Sequence, residues 1–88
     1  MLEGCVVERR NCRSGEKELE YFLLGVPVLE RTSYSVMVFA RRGEETRFAQ
    51  VEDVTREEAR ARCYFERLFC AQVRPENLGE AVYELITG

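Results

Sequence analysis

Asp53-Val54-Thr55 marks the place where the apolar residues of this chain change their period. Before it they tend to alternate, as on half-buried strands; after it they recur at three and four, as on amphipathic helices. The expected architecture is α+β. An about four-stranded, mainly antiparallel, meander-like sheet occupies residues 1–54. A two-helix C-terminal hairpin, residues 55–88, packs on one face of that sheet.

Downstream of the switch the first helix announces itself chemically. Thr55 and Glu58 have the spacing of a capping box, in which each side chain satisfies the other's backbone N–H. Glu57 and Glu58 sit where the helix dipole favours carboxylates, and Glu58 precedes Arg62 by four, the favourable order for an ion pair. Ala61, Tyr64, Phe65 and Leu68 form the stripe expected to be buried, widened by Phe69 and by Cys63 and Cys70. Pro75 suits the first position of a second helix, where its missing N–H costs nothing. Leu78, Ala81, Val82, Leu85 and Ile86 follow on one face, with Gly88 just past the end. Only Gln72 to Arg74 joins the two helices, so they must be close neighbours.

Upstream, Leu2 to Arg9 reads as a first strand and Asn11 to Gly15 as a turn. Leu19 to Leu24 reads as a second strand with Leu19, Tyr21 and Leu23 on one face and Phe22 and Leu24 on the other. Pro27 lacks a ladder donor, so residues 25–32 are expected to be a connection or an irregular edge. Tyr34 to Ala40 is the clearest strand, with Met37 and Phe39 opposite Tyr34, Val36, Val38 and Ala40. Gly43 marks a hairpin turn. The returning strand, Thr46 to Glu52, alternates less cleanly, which a bulge or an edge position would explain.

Eighty-eight residues, 45% apolar and 33% charged, make one folded domain. The net charge of −3 is spread along the chain, which argues against a basic face for a phosphate backbone. Lys17 is the lone lysine among 13 basic residues. The start, Met1-Leu2-Glu3-Gly4-Cys5, shows no signal-peptide pattern, and runs such as Val36 to Ala40 are too short to span a membrane. The expected location is the cytoplasm, with the four cysteines as reduced thiols.

Glu20-Tyr21-Phe22-Leu23-Leu24, Ser33-Tyr34-Ser35-Val36-Met37-Val38, Val51 to Thr55 and Val73-Arg74-Pro75-Glu76-Asn77-Leu78 follow in an order and spacing that can be compared with known families. Across residues 18–87 the chain resembles a family of small, uncharacterised Firmicutes proteins catalogued as a domain of unknown function. Members more often carry Gly after the tyrosine matched by Tyr34, where this chain has Ser35. The resemblance implies the architecture and brings no activity, cofactor or catalytic residue.

Cys5 and Cys12 are separated by six residues, as are Cys63 and Cys70. Neither pair has the knuckle spacing of structural zinc, and the chain has no histidine. The expectation is small buried hydrophobes and no cofactor or metal. The alternative is a four-thiolate metal or redox module, if the first strand lies beneath the first helix. Catalysis is not expected: adjacent carboxylates such as Glu44/Glu45 and Glu57/Glu58 point apart, and no phosphate loop or nucleophile motif is present. The two short-linked helices invite a helix-turn-helix reading, but the second offers Glu76, Asn77, Glu80 and Glu84 where a recognition helix needs basic or amide groups.

The aromatic residues read mostly as core. Two helices in one hairpin cover a single sheet face, however, so Phe22, Met37 and Phe39, or the opposite set, are expected to leave an apolar patch exposed. Either an isologous homodimer or an unknown protein partner buries it, or the first strand and residues 25–32 fold over it. The function expected is a non-catalytic protein-interaction or regulatory module. The cysteine-based module is the alternative, and a nucleic-acid binder comes third.

Overall fold

Residue alternation in the central strands decides which side chains meet the helices, and the computed structural model, which describes residues 4–88, shows the outcome. Strands β1 (Cys5–Ser14), β2 (Lys17–Val28), β3 (Arg31–Arg42) and β4 (Glu45–Thr55) form one antiparallel sheet in chain order. Helices α1 (Glu58–Cys70) and α2 (Leu78–Thr87) follow, joined by Ala71 to Arg74 and a single 3-10 turn over Pro75–Asn77. The expected Leu2 start of the first strand lies outside the described residues.

One face of the sheet makes the core. Leu19, Tyr21 and Leu23 of β2 pair with Ala40, Val38 and Val36 of β3, so all six project to the same side. There they are buried against Ala61, Phe65 and Leu68 of α1 and Leu78 and Val82 of α2. Both helices therefore lie on one face. The Tyr21 hydroxyl donates to the Val73 carbonyl at 2.9 Å, tying the core strand to the segment between the helices. On the flank, Glu8 and Arg10 of β1 pair with Arg62 and Glu66 of α1, and the Arg10 guanidinium lies 4.4 Å from the Phe69 ring centre. The molecule is a slab of 42 × 32 × 17 Å, one sheet layer carrying one helical layer.

Several local expectations need correction. The first strand reaches Ser14, and the turn is Gly15-Glu16, with Gly15 at φ 64°. Residues 25–32 are not a loose connection: β2 continues through Pro27, which pairs with Thr32, and turns at Leu29-Glu30. Pro27 lies two residues beyond the last described pairing with β1, Cys5↔Gly25, away from the fully laddered part of the strand. Strand β4 is both an edge and bulged: Val36 faces Val51 while Tyr34 faces Thr55, and Asp53 in the extra stretch has φ 53°.

The capping box does not form. Thr55 is held in the ladder opposite Tyr34, so the helix starts only at Glu58, after the N-cap Glu57. The Thr55 hydroxyl accepts from the Glu57 N–H instead, and the Glu58 carboxylate takes the Arg62 guanidinium at 3.0 Å. In α2 the second half of the stripe is looser than expected, with Ile86 50% exposed.

Candidate functional site

The face of the sheet turned away from the helices is built by the other half of the alternation. From β2 come Glu18, Glu20, Phe22, Leu24, Val26 and Val28. Their partners on β3 are Arg41, Phe39, Met37, Ser35, Ser33 and Arg31. Phe22, Met37 and Phe39, singled out from sequence, lie here and shelter mainly one another. Met37 is the ladder partner of Phe22. Phe39 meets Phe22 edge-on, with ring centres 5.7 Å apart and planes at 82°. On its other side Phe39 stacks on Phe48 of β4, at 5.6 Å and 26°.

Phe48, 64% exposed, extends this ridge to the sheet edge. The aromatic residues read mostly as core from their spacing, but the register of Phe48 opposite Phe39 assigns it to the open face. Arg9 of β1 lies over the Phe22 ring, 5.5 Å from its centre, and pairs with Glu20. The segments proposed as a cover do not act as one. Strand β1 extends the sheet in its own plane, and residues 25–32 are the adjoining ends of β2 and β3 with their turn.

Beside the ridge, toward the Leu29-Glu30 turn, the same face sinks into a cleft of about 420 Å³. Leu24, Val26 and Val28 give it an apolar wall, while Glu52, Asp53 and Arg56 stand on the polar side. Ser33 and Ser35, 4% and 2% exposed, organise that side. The Ser33 hydroxyl donates to the Asp53 carboxylate at 2.6 Å, and the Ser35 hydroxyl accepts the Asp53 N–H at 3.3 Å. Arg56 lies 3.8 Å from the same carboxylate. These two bonds hold the β4 bulge in its left-handed turn, and bulges commonly re-aim side chains beside functional surfaces. Sequence reasoning missed this corner. Its available signals were serines two apart on the open side of β3 and an acidic pair at the period change.

The cysteines do not gather. Cys5 and Cys12 lie on β1, and Cys63 and Cys70 on α1. Among the described residues no three cysteine or acidic side chains are grouped as metal ligands would be. The expectation that they are buried hydrophobes is also corrected: Cys5, Cys63 and Cys70 are exposed and Cys12 half-buried. Seven residues do place Cys63 and Cys70 on one face of α1, but that face is roughly opposite the buried one of Ala61, Phe65 and Leu68.

The α2 helix rests Leu78 and Val82 on the sheet and exposes Glu80, Tyr83 and Glu84. Tyr83, 68% exposed, is thus an aromatic outside the core on the helical side. Just before α2, the Glu76 carboxyl is held below the usual carboxylate range, chiefly by its own backbone N–H, with Lys17, Arg47 and Arg74 adding to the effect. The start of this helical segment is anionic at neutral pH.

No family model, curated protein or solved structure matches the chain. Among the described residues no helix is long and apolar enough to cross a membrane.

Proposed function

We propose that this chain is a small non-catalytic protein-interaction module whose contact surface is the open face of its sheet, centred on Phe22, Met37 and Phe39. The observation that carries this reading is the aromatic ridge Phe22–Phe39–Phe48 on a face that neither helix covers. A contiguous apolar patch rimmed by charge is the usual signature of an association surface. The rim is present: Arg9, Arg13, Glu18, Glu20 and Arg41 border the ridge at one end. The exposed, unlinked thiols fit a reducing compartment, and we place the module in the cytoplasm.

The test is photo-crosslinking in the cells that make the protein. A benzophenone-bearing phenylalanine analogue replaces Phe39, and in a control replaces Tyr83 on the helical side. A discrete adduct from position 39 and none from position 83 is the expected result. Equal labelling from both positions, or none from position 39, contradicts the reading.

A further inference from the structure

We infer that the partner of the open face is a second copy of this chain, stacked face to face about a two-fold axis that crosses the strands near Met37. This rests on the docking reading above and names its occupant.

An isologous contact needs one surface that carries both halves of its own complement. The open face does so in shape. Its ridge, Phe39 and Phe48, stands toward one end, and its cleft of about 420 Å³, walled by Leu24, Val26 and Val28, lies toward the other. A half-turn about Met37 sets each Phe39 at the mouth of the partner's cleft and brings the two Met37 side chains together. The thioether adapts readily to such a contact.

The charges divide the same way. Beyond the ridge stands Arg41, which makes none of the chain's ion pairs among the described residues. At the cleft stand Glu52, likewise without an ion pair among the described residues, and Asp53, which takes the Ser33 hydroxyl and whose one ion pair among those residues is with Arg56, at 3.8 Å. The same half-turn carries each Arg41 to the end of the partner's face that holds Glu52, so these two charges answer each other twice per dimer, while Arg31 on that face makes no ion pair among the described residues.

The area fits as well. The two central strands, twelve residues each, are about 40 Å long and the four-stranded sheet is about 19 Å across, giving a face on the order of 750 Å². A standard stable interface takes about 800 Å² from each partner. Two sheets packed in this way cross at roughly 30°, with side chains of the facing surfaces interdigitating.

Sedimentation equilibrium on the full chain tests the inference. Wild type is expected to be a dimer at micromolar concentration. Arg41→Glu and Glu52→Arg should each weaken it by about tenfold or more, and the double variant R41E/E52R should recover most of that loss. Circular dichroism establishes that each variant keeps its fold. A wild-type monomer up to about 200 μM, single reversals without effect, or a double variant no tighter than the singles would each overturn the inference. Its failure is separable from that of the docking reading. A position-39 crosslink to a different protein supports docking and excludes the second copy, whereas absence of any adduct removes both.

Discussion

Tyr21 shows how much one side chain ties together. It belongs to β2, is 1% exposed, meets Phe69 edge-on at 5.5 Å and donates to the Val73 carbonyl. Burial pushes its phenol well above the ordinary tyrosine range. In the unfolded chain the phenol ionises near pH 10, whereas in the fold it keeps its proton. The unfolded state then binds fewer protons, so Tyr21's contribution is complete below about pH 10 and is lost as pH rises beyond it. Tyr21→Phe should cost about 1 kcal/mol at neutral pH through the lost hydrogen bond. It should also make the alkaline fall in stability shallower; urea titrations near pH 7 and pH 11 measure both. The inward position of Tyr21 follows from its alternation with Leu19 and Leu23, but its partner is a carbonyl 52 residues away and leaves no trace in local sequence.

Among the elements, the parts hidden from sequence are those where an ordinary residue occupies a glycine's conformation. Alpha 1 ends in a Schellman motif: the Val73 N–H reaches the Leu68 carbonyl and the Gln72 N–H reaches that of Phe69. Gln72 carries the left-handed backbone at φ 52°, where glycine is the usual choice. Gln72→Gly should therefore stabilise the domain by about 0.5–1 kcal/mol, seen as a higher urea midpoint with an unchanged slope. Leu29 at φ 58° and Asp53 at φ 53° are the same kind of case. The Leu29-Glu30 turn has no Gly or Asn to announce it, so Pro27 reads as the end of a strand that in fact continues. Conversely, Gly15 and Gly43 sit in the turns, both with positive φ; the Gly43 hairpin was legible, and the first turn was legible at Gly15 though not in its bounds. Thr55 and Glu58 had the spacing of a cap, but spacing does not reveal that Thr55 is still held in a sheet ladder.

At the level of the whole molecule, the decisive property is the difference between the two faces of one sheet. Alternation in β2 and β3 made an uncovered apolar face readable, because both sets of positions are apolar and a single helical hairpin serves only one of them, but alternation alone does not say which set the helices take. The cleft was not readable, because its polar side depends on a bulge that brings Asp53 to Ser33 and Ser35. The faces should also respond differently to truncation. Phe65→Ala, cut from the buried side of α1, should cost about 3–5 kcal/mol, a large share of the 5–9 kcal/mol or so expected for a domain of this length. Phe39→Ala should cost less than about 1.5 kcal/mol in dilute solution, while removing the rise of melting temperature with protein concentration that a dimer shows. Differential scanning calorimetry over a range of concentrations separates the two effects.

The most direct measurement is the mass of the unmodified protein in solution. Light scattering behind a sizing column, repeated over increasing load, should give twice the 10.3 kDa of one chain, falling toward 10.3 kDa on dilution. The Phe39→Glu variant should elute as a folded monomer throughout. A wild-type mass of 10.3 kDa at every load would contradict the account.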